Sequence, residues 1–280
     1  MKAIVLSGGG SKGAFEVGVL KQVLGGGWKP DALYGTSVGA LNVSGLAFCG
    51  LDKLVQTWLN LKGTSDIYAS KDSLGLPVNE LADLFLGGGC GIYSSKPLQD
   101  LIDRLLAGSP SLPVTVCRVS LVTSEKQFVT ATPSNPNLPF FRKAVLSSAS
   151  TPVLVDLVDD EWGDGGLRDI TPVRKAVQDG AGDLTVVLCD PFQADLLLGG
   201  KVGNVIDTIT RTIECAVQQV FWDDLQDAVH MPEVRLTVYA PPRPLGDPAK
   251  FDPALIRQWM ALGEQAKPVY QSQALEAHHA

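Results

Sequence analysis

Two strand–glycine turn–helix units follow one another at the start of the chain, and they constrain the fold more than any other feature. Lys2–Leu6 is an apolar run that stops at Ser7-Gly8-Gly9-Gly10, as a strand buried on both faces would. Ala14, Val17 and Leu20 then recur at helical spacing. The pattern repeats: Asp31–Tyr34 is short and apolar, Gly35-Thr36-Ser37-Val38-Gly39 turns sharply, and Ala40–Cys49 resumes a helical period. Tandem units of this kind predict a parallel sheet with its chemistry at the carboxyl ends of the strands.

The remainder extends the same scheme. Helices are expected around Lys53–Leu61, Asn79–Leu86, Pro97–Leu106 and Phe140–Ser148, and strands at Val114–Val122, Gln127–Ala131, Pro152–Val158, Leu184–Cys189 and Val234–Tyr239. Val202–Val229 reads as one long helix with Val202, Ile206, Ile209, Ile213, Val217, Val220 and Phe221 on its apolar face. A Pro-rich loop, Pro241–Pro253, leads into further helix from Ala254. At 280 residues the chain suits a single large α/β domain. Its motifs lie in residues 1–175, and 176–280 is expected to form a variable, chiefly helical part.

Composition removes several function classes. Lys and Arg number 23 against 30 Asp and Glu, a net charge of −7, which argues against a protein that must neutralise nucleic-acid phosphates. The same charge leaves peripheral membrane contact through apolar patches open. The five cysteines are scattered without any C-x-x-C, so they predict buried reduced thiols and a cytoplasmic setting rather than a metal or redox motif. The apolar start is too short for a secretory signal, which needs about 7–15 apolar residues, and no run reaches the ~18 of a membrane span.

Three motifs carry possible chemistry. Gly8-Gly9-Gly10-Ser11-Lys12-Gly13 satisfies G-x-G-x-x-G between strand and helix, the dinucleotide fingerprint, but the second strand closes on Tyr34-Gly35-Thr36-Ser37 without the expected terminal carboxylate. Ala14-Phe15 likewise stands where a phosphate-binding loop needs Lys-Ser/Thr. What the loop does offer is a set of backbone N–H groups at a helix N-terminus, suited to a phosphate or to an oxyanion. Gly35–Gly39 is a G-x-S-x-G, the tight turn that exposes a nucleophilic serine, although Gly9-Gly10-Ser11-Lys12-Gly13 matches the same string and a capped glycine turn explains either. The histidines are His230, His278 and His279; Ser37, Asp164 and His230 meet the order of a Ser…Asp…His triad, but no histidine sits in a glycine-rich strand-end loop, and S-x-x-K is absent. A carboxylate acting directly on serine is then the remaining option, with Asp164-Gly165-Gly166 best placed, though Asp-Gly alone is also a common turn signal.

Taken together, Gly8–Gly13, Gly35–Gly39 and Asp164–Gly166 resemble the patatin-like phospholipase family in order and spacing. Gly39-Ala40-Leu41-Asn42, Ser148-Ala149-Ser150-Thr151-Pro152 and Leu167-Arg168-Asp169-Ile170-Thr171-Pro172 echo it further, and Lys12 stands where many members carry Arg. The resemblance implies a three-layer α/β/α fold with a mainly parallel sheet and hydrolysis of lipid acyl esters. It implies Ser37 as nucleophile, Asp164 as its base with a pKa raised by partial desolvation, and Gly8, Gly9 and Gly10 as oxyanion donors. Lys12, Gly13, Gly35, Gly39, Gly165 and Gly166 would support these groups, and no metal or organic cofactor is needed. Substrate-pocket walls are expected from Leu51–Leu106, and Asp159, Asp160 and Asp169 as solvated loop charges. Two rival readings are a nucleotide-binding α/β protein using the first glycine loop, and a catalytically silent domain of the same shape that binds lipid or protein.

Overall fold

In the computed structural model, the described residues are 1–70, 91–192, 203, 205–231 and 234–272. In chain order they form β1 (Lys2–Leu6), α1 (Gly13–Gly25), β2 (Ala32–Thr36), α2 (Val38–Leu59), β3 (Ala69–Ser70), β4 (Gly91–Ser94), α3 (Lys96–Leu105), β5 (Val114–Ser120) and β6 (Lys126–Ala131). Then follow α4 (Leu138–Ser148), β7 (Val153–Val155), β8 (Trp162–Asp164), α5 (Val173–Gln178), β9 (Asp183–Val187), α6 (Val205–Val229), β10 (Arg235–Tyr239), α7 (Pro253–Glu264) and β11 (Tyr270–Gln271).

The main sheet runs β11-β10-β9-β1-β2-β5-β6, parallel from β10 through β5, with β11 and β6 antiparallel at its ends. Alternation along the buried strands sends side chains to two cores. Ile4, Leu6, Leu33, Val114 and Val116 pack with residues of α1, α2, α4 and α7. Ala3, Val5, Ala32, Leu184, Val186 and Leu236 pack on the other face with Val173 of α5 and Phe221 and Leu225 of α6. The result is the expected α/β/α layering.

Several expectations are corrected. After residue 176 the described residues form α6 and α7 together with β9, β10 and β11, which complete one side of the main sheet. The two helices expected at Ala40–Cys49 and Lys53–Leu61 are the two arms of α2, separated at Gly50, whose φ of 79° and ψ of 168° leave the helical region. This helix is apolar enough to span a bilayer by composition, but 61% of its most apolar window is buried in the fold. Pro152–Val158 contracts to β7, which joins β3 and β4 in a second, three-stranded sheet. Of the cysteines, Cys117 and Cys189 are buried, but Cys49 is only half-buried and Cys215 is exposed, because the face of α6 that carries it points outward. On the same helix Ile209 is 36% exposed, so its apolar face is not wholly covered. The helix expected at Asn79–Leu86, Cys90, Val202 and the histidines 278 and 279 lie outside the described residues.

Candidate active site

Sheet register brings Ser37 and Asp164 together. β2 lies along one edge of β5 and ends with Thr36 opposite Cys117. β8 runs antiparallel along the same edge and ends with Asp164 opposite Arg118. The two strands therefore approach head to head, and the residues at their tips meet. The Ser37 hydroxyl donates to Asp164 Oδ2 at 2.7 Å. The Thr151 hydroxyl reaches the same oxygen at 3.4 Å, and the Gly166 N–H donates to Oδ1 at 2.8 Å.

Ser37 has φ 57° and ψ −127°, a conformation that costs a non-glycine residue about 1–3 kcal/mol. The turn is crowded: a side-chain carbon at Gly39 would collide with the carbonyl oxygen of Leu6, so only glycine lets α2 start this close to β1. α2 begins at Val38, so Ser37 stands at the N-cap of a helix whose first N–H groups lack partners within the helix. Asp164 is 7% exposed, and burial pushes its carboxyl up to about 6, against the opposing pull of the Gly166, Ser37 and Thr151 donors. The carboxylate thus remains ionised at neutral pH while being a better base than a solvated aspartate.

The first glycine loop lies alongside. Of its three candidate donors Gly8 is already committed, its N–H bonding to the Ile170 carbonyl at 3.1 Å. Ser11 N–H is likewise held by the Pro248 carbonyl at 2.7 Å. Between them, the N–H groups of Gly9 and Gly10 have no protein partner among the described residues. Gly10 has φ 58° and packs directly on the Pro248 carbonyl, a place no side chain fits. Ser11, the second serine in a G-x-S-x-G string, donates its hydroxyl to the Asp247 carbonyl at 3.1 Å and is fully buried, so it braces the loop. Lys12 is also buried and forms an ion pair with Asp190 at 2.7 Å.

A cavity of about 280 Å³ opens from these groups, and its lining is predominantly apolar. Ser37, Asp164, Gly9 and Gly10 stand at one part of the wall, while Leu54, Trp58, Ile102 and Leu106 belong to the apolar part. The Leu51–Leu106 expectation is met for the described portion of that stretch, but Ile213 and Val217 of α6 and Phe251 before α7 also contribute. Phe251 stacks on Trp58 with ring centroids 6.2 Å apart. Tyr68 lines the cavity, and burial together with the negative charge of Asp164 pushes its phenol up to about 12. Behind the cavity, burial raises Glu16 well above the usual carboxylate range, and a chain of hydrogen bonds from Trp58 through Asn42 to Glu16 ties α2 to α1.

The family model described as "Patatin-like phospholipase" matches residues 4–177. The chain belongs to the patatin-like phospholipase family. Among the patatin-like chain's curated relatives, "Uncharacterized protein YjjU" of Escherichia coli strain K12 is 25% identical over 272 residues, spanning 87% of this chain and 69% of the relative. Among solved structures, VipD from Legionella pneumophila aligns with a TM-score of 0.44 and 13% identity over 94% of this chain. The chain spans 65% of the length of VipD.

The patatin-like scaffold assembles most of the residues singled out in the sequence, with stated exceptions. Gly35, Gly39, Gly165 and Gly166 all lie at the strand-end turns, and Gly13 starts α1 against Val38. His230 bonds the Gln226 carbonyl at 2.7 Å near the end of α6 and does not line the cavity. Asp159 pairs with Lys143 on the surface and Asp160 is exposed, as expected, but Asp169 is only 2% exposed and is paired with Lys126 at 2.6 Å. Asp169 is buried because the backbone after the Asp164 turn tucks under β2, where the Thr36 hydroxyl donates to the Asp169 carbonyl at 2.8 Å. Thr151, Tyr68, Phe251 and the Asp247-Pro248 loop were not singled out, and only the Ser148–Pro152 string held a local signal for any of them.

Proposed function

We propose that the chain is a serine acyl hydrolase acting on lipid or related acyl esters, with Ser37 as nucleophile and Asp164 as general base. One observation carries this reading: a strained, half-buried serine hydroxyl 2.7 Å from a carboxylate whose pKa is raised to about 6, at the wall of an apolar cavity. Asp164 takes the hydroxyl proton as Ser37 Oγ bonds to the ester carbonyl carbon, and the carbonyl oxygen gains the charge. The free N–H groups of Gly9 and Gly10 and the first N–H groups of α2 supply donors for that oxyanion. Collapse expels the alcohol, which receives the proton from Asp164. Water then attacks the acyl-serine, its proton passing to Asp164 and on to Ser37 Oγ as the carboxylic acid leaves.

The cavity is at the small end of the ~300–1,000 Å³ range of ligand pockets, a volume suited to one acyl chain rather than a whole diacyl lipid. The apolar lining supports a substrate taken from a lipid surface. The buried thiols of Cys117 and Cys189 support the expectation of a reducing, cytoplasmic setting. Fluorophosphonate labelling, followed by hydrolysis of a panel of acyl esters, tests the reading. Covalent labelling of Ser37 and ester turnover are expected. A folded protein that neither labels nor hydrolyses, yet titrates with NAD(P)H fluorescence, would return the first glycine loop to a nucleotide.

A further inference from the structure

Asp224 lies on α6, beyond the stretch that the family model matches, and none of the chemistry above uses it. Its Oδ2 accepts two backbone N–H groups, Ile170 at 2.9 Å and Thr171 at 3.0 Å. These residues follow the Asp164-Gly165-Gly166 turn, and Asp169 N–H bonds back to the Gly165 carbonyl at 2.9 Å. The same short segment reaches the other two motifs. The Asp169 carbonyl accepts the hydroxyl of Thr36, the residue before Ser37, and the Ile170 carbonyl accepts the Gly8 N–H. The Ile170 side chain packs over both Gly8 and Gly166. One stretch of backbone, 169–171, is thus bonded to the glycine loop, the serine turn and the aspartate turn, and a carboxylate from α6 holds it there.

We infer that Asp224 is a positioning residue, whose carboxylate sets the relative placement of Ser37, Asp164 and the oxyanion donors by clamping residues 169–171. This rests on the reading of the site as a serine hydrolase. Two N–H donors on one carboxylate oxygen make a strong, directional tie, and misplacement of reacting groups by about 1 Å can cost ~100-fold in rate. The charged and titratable groups around the clamp are Asp169 of the segment itself, Lys126 of β6, Cys117 of β5 and, toward Asp169, Arg174 of α5. Burial, and then the like charge of Asp169, push Asp224 up to about 7, opposed by the Thr171 and Ile170 donors and by Lys126. The ionised, stronger acceptor therefore prevails above about pH 7 and is lost as pH falls through that value.

The test compares Asp224→Ala and Asp224→Asn with the parent, measuring p-nitrophenyl ester hydrolysis from pH 5 to 9, fluorophosphonate labelling rate, and circular dichroism with melting to establish folding. Asp224→Ala is expected to lower kcat about tenfold or more with KM changed by less than about threefold, and to slow labelling in proportion. Asp224→Asn keeps an acceptor oxygen but cannot titrate, so it should recover most of kcat and move the acid limb down toward that of Asp164 alone. A folded Asp224→Ala with kcat within about twofold of the parent overturns the inference. Should Asp224→Ala fail to fold, Asp224→Asn decides, and an acid limb unmoved in that variant overturns it equally. An inert parent protein is a different failure: it removes the hydrolase reading, and the positioning role with it.

Discussion

The hydroxyl of Ser148 accepts the backbone N–H of Ser37 at 2.9 Å. Ser148 is fully buried at the end of α4, so the strained serine turn is anchored to an element outside the first two strand–helix units. Ser148→Ala would leave that N–H without its acceptor, at a cost of about 1–3 kcal/mol in stability. It should also lower kcat more than it raises KM, because the turn holds the attacking oxygen. Urea denaturation and steady-state kinetics on the same preparation check both parts.

The two serines that share a G-x-S-x-G string separate cleanly by structure. Ser37→Ala should reduce ester hydrolysis by ~10³-fold or more and abolish fluorophosphonate labelling. Ser11→Ala removes only the bond to the Asp247 carbonyl, so it should retain most activity and lose about 1 kcal/mol of stability. Reversed outcomes would move the nucleophile to the first loop.

Asp164 carries a prediction in pH and in stability. Where Asp164 alone sets the acid limb, as in Asp224→Asn, kcat/KM should fall below about pH 6, the value to which burial raises this carboxyl. Because the folded-state pKa lies above the ordinary aspartate value of 3.8, ionisation of Asp164 destabilises the fold above about pH 6, and the penalty fades as pH falls from 6 toward 3.8. Asp164→Asn should therefore abolish turnover while stabilising the protein by about 1–3 kcal/mol at pH 8, with the gain vanishing near pH 4. Asp159→Asn and Asp160→Asn, both on the surface, should leave activity unchanged. Melting curves across pH and parallel activity profiles distinguish these outcomes.

The cavity wall predicts chain-length selection. Leu101 is half-buried on α3 and lines the cavity, so Leu101→Trp fills space without displacing a fully buried side chain. Relative to the parent, kcat/KM for p-nitrophenyl decanoate should fall about tenfold or more, a loss of ~1–3 kcal/mol, with the butyrate ester nearly unaffected. An equal loss on both esters would place the acyl chain elsewhere.

Local order along the chain determined much of this molecule. β1 occupies the apolar run Lys2–Leu6, and glycines at positions 8–10, 35 and 39 mark the turns, because strand, turn and helix signals arise from neighbours a few residues apart. The order of the three motifs likewise identified the family and the two side chains worth pairing. Tertiary structure decided the rest. Ser37 and Asp164 are 127 residues apart, and they meet because β8, a three-residue strand too short to show alternation, takes up the edge of β5 that β2 vacates. The same holds for β3 and β4, whose two and four residues carry no periodic signal. Gly8 reads in sequence as one of three equivalent donors, yet its N–H is consumed by the Ile170 carbonyl, a partner that only the assembled fold brings alongside. Burial of Asp164, which raises its basicity, is also a property of the assembled layers, since an Asp-Gly turn by itself would sit in water.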